Sequence, residues 1–255
     1  MKQYKTILAA FLIALFSMQS ASAGIGSSGA QFLQIGAGIR AISMGQAYAG
    51  YADGIDALYW NPAGIASLSK NMHLNINHAE YLADMSFDNF AFSAPLFGGT
   101  FGVSGAGLLS GDIDVTTVED PDGTGDTYTA NDFYTGLSYA RNLTGKFAAG
   151  ITVKLVNQNI AELSAFGWAM DIGAVYRTGL FNNLTLGFSV TNFGPDMRYT
   201  GDDIIFRTKV YQEETGQAED VRAEYLTEEY QLPLKLQLGF AIDVINSEPK
   251  AGAGG

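Results

Sequence analysis

Few residues of this chain carry groups that could do chemistry, and their spacing argues against most reactions. The only histidines are His73 and His78. A hydrolase built on either would need a serine and an orienting partner converging on the imidazole, and no such constellation accompanies them. His73 reads instead as a polar residue on the inner face of a strand, and two histidines with no cysteine argue against a zinc site. The run "DPDGTGD" sets Asp120, Asp122 and Asp126 around two glycines, a set of oxygen ligands that could wrap a calcium ion. The match is partial: an EF-hand loop wants a glutamate at its twelfth position, and the count from Asp120 reaches Asn131. A solvated acidic loop is the better reading. Lys154, Asp171, Arg177 and Lys235 fall on strand faces that point inward, where a substrate path, a polar lumen or plug-anchoring ion pairs would each account for them. None is assigned as a site, no cofactor is implied, and an enzyme is the weakest of the functional readings.

The elements that must hold these residues begin with an export signal. "MKQYKTILAAFLIALFSMQSASA", residues 1–23, has Lys2 and Lys5 ahead of an apolar stretch and ends Ala21-Ser22-Ala23, the pattern of a secretory signal peptide cleaved after Ala23. The apolar stretch is too short for a transmembrane helix, and the absence of cysteine excludes both a lipoprotein anchor and disulfides. No later apolar run reaches the roughly 18 residues that a membrane helix needs, which excludes a helical membrane protein. Thirty-one glycines, 13 tyrosines and 16 phenylalanines with only 16% charged residues suit a transmembrane β-barrel, with a secreted β-sandwich as the competitor.

From Asn71 onward, eight segments of roughly ten residues alternate with period two, the mark of strands with unlike faces. They are "NMHLNINHA", "MSFDNFAFSA", "TFGVSGAGLLS", "DFYTGLSYA", "FAAGITVKLV", "GWAMDIGAVYR", "LTLGFSVTN" and "LPLKLQLGFAIDV". In the fifth, Phe147, Ile151, Val153 and Leu155 oppose Gly150, Thr152 and Lys154; in the sixth, Trp168, Met170, Ile172 and Tyr176 oppose Asp171, Gly173 and Arg177. Large apolar residues on one face and small or polar residues on the other invert the pattern of a soluble barrel, and fit lipid outside with a polar or filled lumen inside. The connections are expected to alternate between short turns ("PLFGG", "NLTGK", "TGLFNN") and longer links at residues 79–85, 111–130, 160–165 and 194–229. That parity matches short periplasmic turns and longer external loops.

The formal charge is -12. Six acids (Asp112, Asp114, Glu119, Asp120, Asp122, Asp126) occupy residues 111–128 without a lysine or arginine, and ten more lie between Pro195 and Tyr230 against four basic residues. Acids gathered this way indicate solvated external loops, and without a basic patch the chain has no electrostatic footprint for nucleic acid. Residues 24–70 do not alternate. They read as Gly- and Ala-rich turns with short helical stretches, a hatch that would plug the lumen, lie across the periplasmic mouth, or form an independent cap. Within it "ALYWNPAGIASL" breaks at Asn61-Pro62, because Pro62 lacks an N–H and disfavours helical geometry at Asn61.

The stretches "GAGIRAISMGQAYAG" and "ADGIDALYWNPAGIA" resemble the N-terminal signature of the PorV/PorQ family, itself similar to FadL-type outer-membrane transporters. Asn61, Pro62, Ala63 and Gly64 match both groups, whereas Arg40, Met44, Gly45, Tyr59 and Trp60 resemble the PorV/PorQ branch; "GWAMDIGAVYR", "LGFSVTNFGP" and "LPLKLQLGFA" extend the likeness over most of the mature chain. The resemblance implies an all-β, antiparallel transmembrane outer-membrane β-barrel, FadL-like, of about fourteen strands with an N-terminal hatch. It also implies work in the type IX secretion system of Bacteroidetes-like bacteria, where such proteins receive cargo by its C-terminal signal domain and pass it to a surface attachment complex, without catalysis.

Eight strands fall short of fourteen, and an eight-stranded barrel has no room inside for a hatch of about 45 residues. Residues 71–255 are therefore expected to be about the first two-thirds of a larger barrel, incomplete at the C-terminus. The favoured expectation is an outer-membrane component of type IX secretion, surrounded by outer-membrane lipid and binding cargo or other type IX secretion proteins through its external loops. The rival is a FadL-like channel for hydrophobic small molecules gated by the hatch near Asn61–Gly64.

Overall fold

The computed structural model describes residues 28–179, 182–211 and 218–244; the proposed signal peptide lies outside them. An irregular N-terminal segment runs first, with a 3-10 turn at Gln31–Gln34, short helices α1 (Ile39–Ser43) and α2 (Ala57–Trp60), and a 3-10 stretch Pro62–Leu68. Thirteen strands follow among the described residues: β1 His73–Glu80, β2 Ser86–Leu96, β3 Gly99–Leu109, β4 Ile113–Asp114, β5 Thr127–Tyr128, β6 Ala130–Asn142, β7 Phe147–Ile160, β8 Leu163–Arg177, β9 Thr185–Phe193, β10 Thr200–Gly201, β11 Ile205–Tyr211, β12 Ala218–Glu224 and β13 Lys235–Ala241.

Eight of these form an antiparallel meander in the order β1-β2-β3-β6-β7-β8-β9-β13, and β10 adds to the end of β8. They coincide with the eight alternating segments of the sequence. The sheet is not closed: β1 and β13 stand at its two edges. The chain is thus mostly antiparallel β-structure with few helices. No helix among the described residues is long and apolar enough to cross a membrane, a fact without bearing on strands that cross one.

The face of each strand follows from the period-two pleat. Leu137, Ile151, Val153, Leu155, Phe166, Trp168, Ile172, Leu186, Leu236, Leu238 and Phe240 are exposed on the outer face. Ser93, Thr100, Ser104, Ser138, Thr152, Lys154, Asp171 and Ser189 are buried on the inner face, beneath or beside the N-terminal segment. So the large apolar side chains lie outside and the small and polar ones inside, as the alternation predicts. The N-terminal segment covers the inner face and supplies most of its apolar packing: Tyr48, Leu58, Trp60, Ile65 and neighbouring alanines pack with Ala140, Ala148 and Val175. A second cluster joins Phe32 and Leu33 to Phe87, Tyr134, Val156, Ala165, Met197 and Leu232. The segment lies against the inner face of the sheet and does not stand apart as an independent cap.

The connections depart from the expected parity. β2 and β3 are joined by Phe97-Gly98, both at positive φ (50° and 72°), the mirror-image turn whose twist suits a two-residue hairpin. The link expected at 160–165 is also a tight turn. Ile160 pairs with Leu163, and β8 begins four residues before the strand read from sequence, because Leu163-Ser164-Ala165-Phe166 continues the alternation through residues that look loop-like. The 79–85 link shrinks to a short 3-10 turn at Leu82–Asp84. Only the connections 110–129 and 194–234 are long. The first carries the small β4/β5 ribbon; the second carries β10, the β11/β12 hairpin and a return across the inner face.

Candidate functional site

The candidate site is the seam between the N-terminal segment and the inner face. It is built around Asn61-Pro62-Ala63-Gly64. Asn61 is fully buried and extended (φ -159°), so its side chain caps the following turn: Oδ1 accepts from the Ala63 N–H at 3.2 Å. Its Nδ2 donates to the Ala49 carbonyl (3.2 Å) within the segment and to the Ala174 carbonyl (3.3 Å) on β8. One amide thus fixes the turn, a distant part of the segment, and the sheet. Pro62 takes the first position of the 3-10 stretch, where its missing N–H costs nothing.

Glycines opposite this motif make the contact possible. Gly150 and Gly173 are direct partners across β7 and β8. A Cβ on Gly150 would lie 2.5 Å from the Pro62 carbonyl carbon, and one on Gly173 would lie 2.1 Å from Asn61 Oδ1. A second pair, Gly187 and Gly239 across β9 and β13, receives the backbone at Ala49-Gly50 in the same way, with a Gly187 Cβ 1.8 Å from the Ala49 carbonyl oxygen. Two paired-glycine slots therefore admit the backbone of the segment where side chains elsewhere would hold it off.

Tyr59 and Trp60, which the sequence alone leaves between an interface role and plug packing, pack the segment. Trp60 is 1% exposed and its Nε1 donates to the Ala37 carbonyl at 2.8 Å; the Tyr59 hydroxyl donates to the Leu33 carbonyl at 2.6 Å. The two rings meet edge-on with centroids 5.0 Å apart. The Lys235 ammonium sits 4.9 Å from the Trp60 ring centroid, within cation–π range, and so ties edge strand β13 to the segment. Of the other motif residues, Arg40 donates to the Tyr51 hydroxyl and stacks over its ring, Gly45 supplies a positive φ of 64° after α1, and Met44 is exposed. These three stand apart from the Asn61–Gly64 contact. The Tyr48 hydroxyl donates to the Asp53 carbonyl, and burial, helped by the Asp56 carboxylate, pushes its phenol up to about 12. It stays a neutral donor at any physiological pH. Asn75 on β1 and Asn142 on β6 add bonds to Asp56 Oδ1 (2.7 Å) and the Ala66 carbonyl (3.0 Å).

Two of the inward charges pair. Lys154 Nζ lies 2.7 Å from Asp171 Oδ2, with 2% and 0% of the side chains exposed. Asn192 completes the group: its Oδ1 accepts from Lys154 Nζ (2.9 Å), its backbone N–H donates to Asp171 Oδ1 (2.8 Å), and its Nδ2 donates to the Pro233 carbonyl (3.2 Å). Asn192 has φ 61°, next to the place where the β8/β9 register shifts between Met170 and Ile172. Asp171 Oδ1 and the Lys154 ammonium are thus hydrogen-bonded as well as paired, while Asp171 Oδ2 has only the charge of the ammonium beside it. Sequence reading found Lys154 and Asp171 but missed Asn192. An Asn just before Phe193-Gly194, at the end of a strand, was the available signal for a left-handed residue. It also missed the two glycine pairs, whose meaning depends on hairpin register.

His73 is half-buried on the inner side of β1, and His78 is exposed near the strand end, with Nδ1 2.7 Å from Asp88 Oδ1. His73 stands opposite Ser93 on the β1–β2 ladder, but the buried Ser93 Oγ has no hydrogen-bond partner, so the imidazole does not engage it. Asp120, Asp122 and Asp126 are all exposed, and among the described residues no group of three or more acidic or histidine side chains converges as a metal site would require. The loop is held by its own turns instead, the Thr117 hydroxyl accepting from the Asp120 N–H at 3.0 Å.

Asn61→Ala is expected to remove the buried bonds to Ala49 and Ala63 and the part-buried bond to Ala174, at about 1–3 kcal/mol for each buried group that finds no new partner. Denaturant titration in detergent checks it; a loss under about 0.5 kcal/mol would contradict the assigned role. A scan against protein-family models matches none of them to this chain, and a sequence search of curated proteins likewise finds no match.

Proposed function

We propose that the chain is an outer-membrane β-barrel protein of the PorV/PorQ type, exported by its signal peptide, plugged by its N-terminal segment, and serving type IX secretion by binding cargo or partner proteins. The observation that carries this reading is the inversion of the sheet: exposed Leu, Ile, Val, Phe and Trp outside, with buried serines, threonines, glycines and an ion pair inside. A soluble protein would expose an apolar face of this extent at the cost of aggregation, whereas lipid accepts it. The unclosed sheet supports a larger assembly, because open edges in lipid leave backbone groups without partners. The long, acid-rich connections 110–129 and 194–234, at the same end of the sheet, are the natural contact surface for partners.

The scaffold reading is preferred over a channel gated near Asn61–Gly64 because that motif is bonded to the sheet, through Asn61 to the Ala174 carbonyl, where a gate would have to part from it. Beneath Leu58 and Tyr59, against Ser104 and Tyr134, there is room for only about 10 Å³, while a cavity of about 520 Å³ opens between Ile35 and Ile42 of the segment and Ala79 and Phe87 of the sheet, where a channel would have to run. Deleting the gene tests both. Loss from the cell surface of proteins bearing type IX signals is expected, with hydrophobic uptake intact; normal surface display would overturn the proposal, and lost uptake with normal secretion would establish the channel.

A further inference from the structure

The last part of the connection before β13 does not stay at the end of the sheet. Residues 230–233 return over the inner face and touch three separate bodies. Tyr230 exchanges both backbone hydrogen bonds with Met197 (2.9 and 2.8 Å), and its ring packs beside Tyr199, with centroids 5.7 Å apart. The Tyr230 hydroxyl donates to Gln158 Oε1 on β7 at 2.9 Å. Gln231 forms a parallel bridge with Ser28 and accepts the Gly29 N–H at 3.0 Å; a Cβ on Gly29 would fall 2.1 Å from the Tyr230 ring, so the two chains lie in direct contact. Leu232 is buried in the cluster that holds Phe32 and Leu33. Pro233, finally, offers its carbonyl to Asn192, and through it to the Lys154–Asp171 pair.

We propose that Tyr230–Pro233 is a latch between the long β9–β13 connection and the start of the plug, with Asn192 and the buried ion pair as its anchor on the sheet. Three observations lead there independently of any secretion role. The strap is the one place among the described residues where the long connection bonds to the plug's first residues. It belongs to a different packing cluster from the Asn61–Gly64 contact, the two being joined through Tyr59, whose hydroxyl holds the Leu33 carbonyl, so the Ser28–Leu33 end of the plug would loosen about Tyr59 while Asn61–Gly64 stays docked. A buried ion pair with a left-handed asparagine is also an expensive way to hold two strands that already share a ladder, but an apt way to fix a third chain lying across them. A displacement of the long connection, by a bound partner or otherwise, would then be passed to Ser28–Leu33 and expose the inner face there.

The chain has no cysteine, so a single introduced thiol reports accessibility cleanly. Leu33→Cys reports on the latch end of the plug, and Leu58→Cys on the Asn61 end; both leucines are buried. Asn192→Gly keeps the positive φ and the backbone bond to Asp171 while removing the bonds to Lys154 and Pro233. Full-length protein in detergent micelles is labelled with a maleimide. Adding Asn192→Gly is expected to raise the labelling rate at position 33 about tenfold, the effect of losing one to two net hydrogen bonds, with position 58 unchanged. Tyr230→Phe, which keeps the ring on Gly29 and removes the hydroxyl's bonds to Gln158 and Tyr199, is expected to raise it a few-fold and decides the matter alone if Asn192→Gly fails to fold. No change at position 33, or an equal rise at both positions, overturns the latch.

Discussion

Lys154→Met is expected to cost about 3–5 kcal/mol of stability, the largest loss from any single side chain on the inner face. Methionine fills the same volume, so the loss is not one of packing. It arises because the Asp171 carboxylate, fully buried, keeps only the Asn192 N–H and has no cation within reach. The methionine also forfeits the ammonium's position 5.1 Å from the Tyr134 ring centroid. Replacing both charges, as Lys154→Met with Asp171→Leu, is expected to recover most of the loss, since an apolar pair of similar volume often matches a buried ion pair. Chemical unfolding in detergent measures both. A single variant within about 1 kcal/mol of the parent would mean that the pair is hydrated and not a buried anchor.

The second large effect is at Gly173. Valine is a better strand residue than glycine, so on intrinsic preference Gly173→Val should strengthen β8. It is expected instead to destabilise by about 3 kcal/mol or more, because any Cβ there meets Asn61 Oδ1 at 2.1 Å and the Ala63 N at 2.9 Å, and overpacking against backbone has no cheap relief. Gly145, in the β6–β7 turn with nothing within 4 Å of an added Cβ, is the control, where alanine should be neutral. If valine at 173 stabilised the protein, the plug would not be seated on the Gly150–Gly173 slot.

How much of this is legible in the sequence depends on which residues carry it. The strands are, because large apolar residues recur at alternate positions along most of β6, β7 and β8, and a pleat puts them on one face. Turn lengths are less so: Ala161 takes a positive φ of 50° without being glycine or asparagine, so nothing in its type announces the tight β7–β8 hairpin. Asn61 and Pro62 are readable as a chain break, yet the reason for an asparagine, its reach to Ala174 across 113 positions of sequence, is a tertiary fact. The glycine slots lie between these cases. Each glycine is visible, but Gly150 meets Gly173 only once the two-residue turn fixes the register. The strap at Tyr230–Pro233 follows the link read as external loop, 194–229, and its Leu232-Pro233 open the segment read as the eighth strand, so nothing in the residue types marks that the chain crosses the inner face before the strand begins at Lys235.

The central claim is that the outer face meets lipid and the inner face does not. The most direct measurement places single nitroxide-labelled cysteines at positions 151, 152, 153 and 155 along β7 in protein reconstituted into lipid vesicles, and compares their collision rates with oxygen and with a water-soluble nickel complex. Labels at 151, 153 and 155 should favour oxygen, as groups in acyl chains do, while the one at 152 should be shielded from both reagents, so that access alternates along the strand. Equal access of the nickel complex to 151, 153 and 155, with no alternation in oxygen, would place that face in water or against protein and contradict the account.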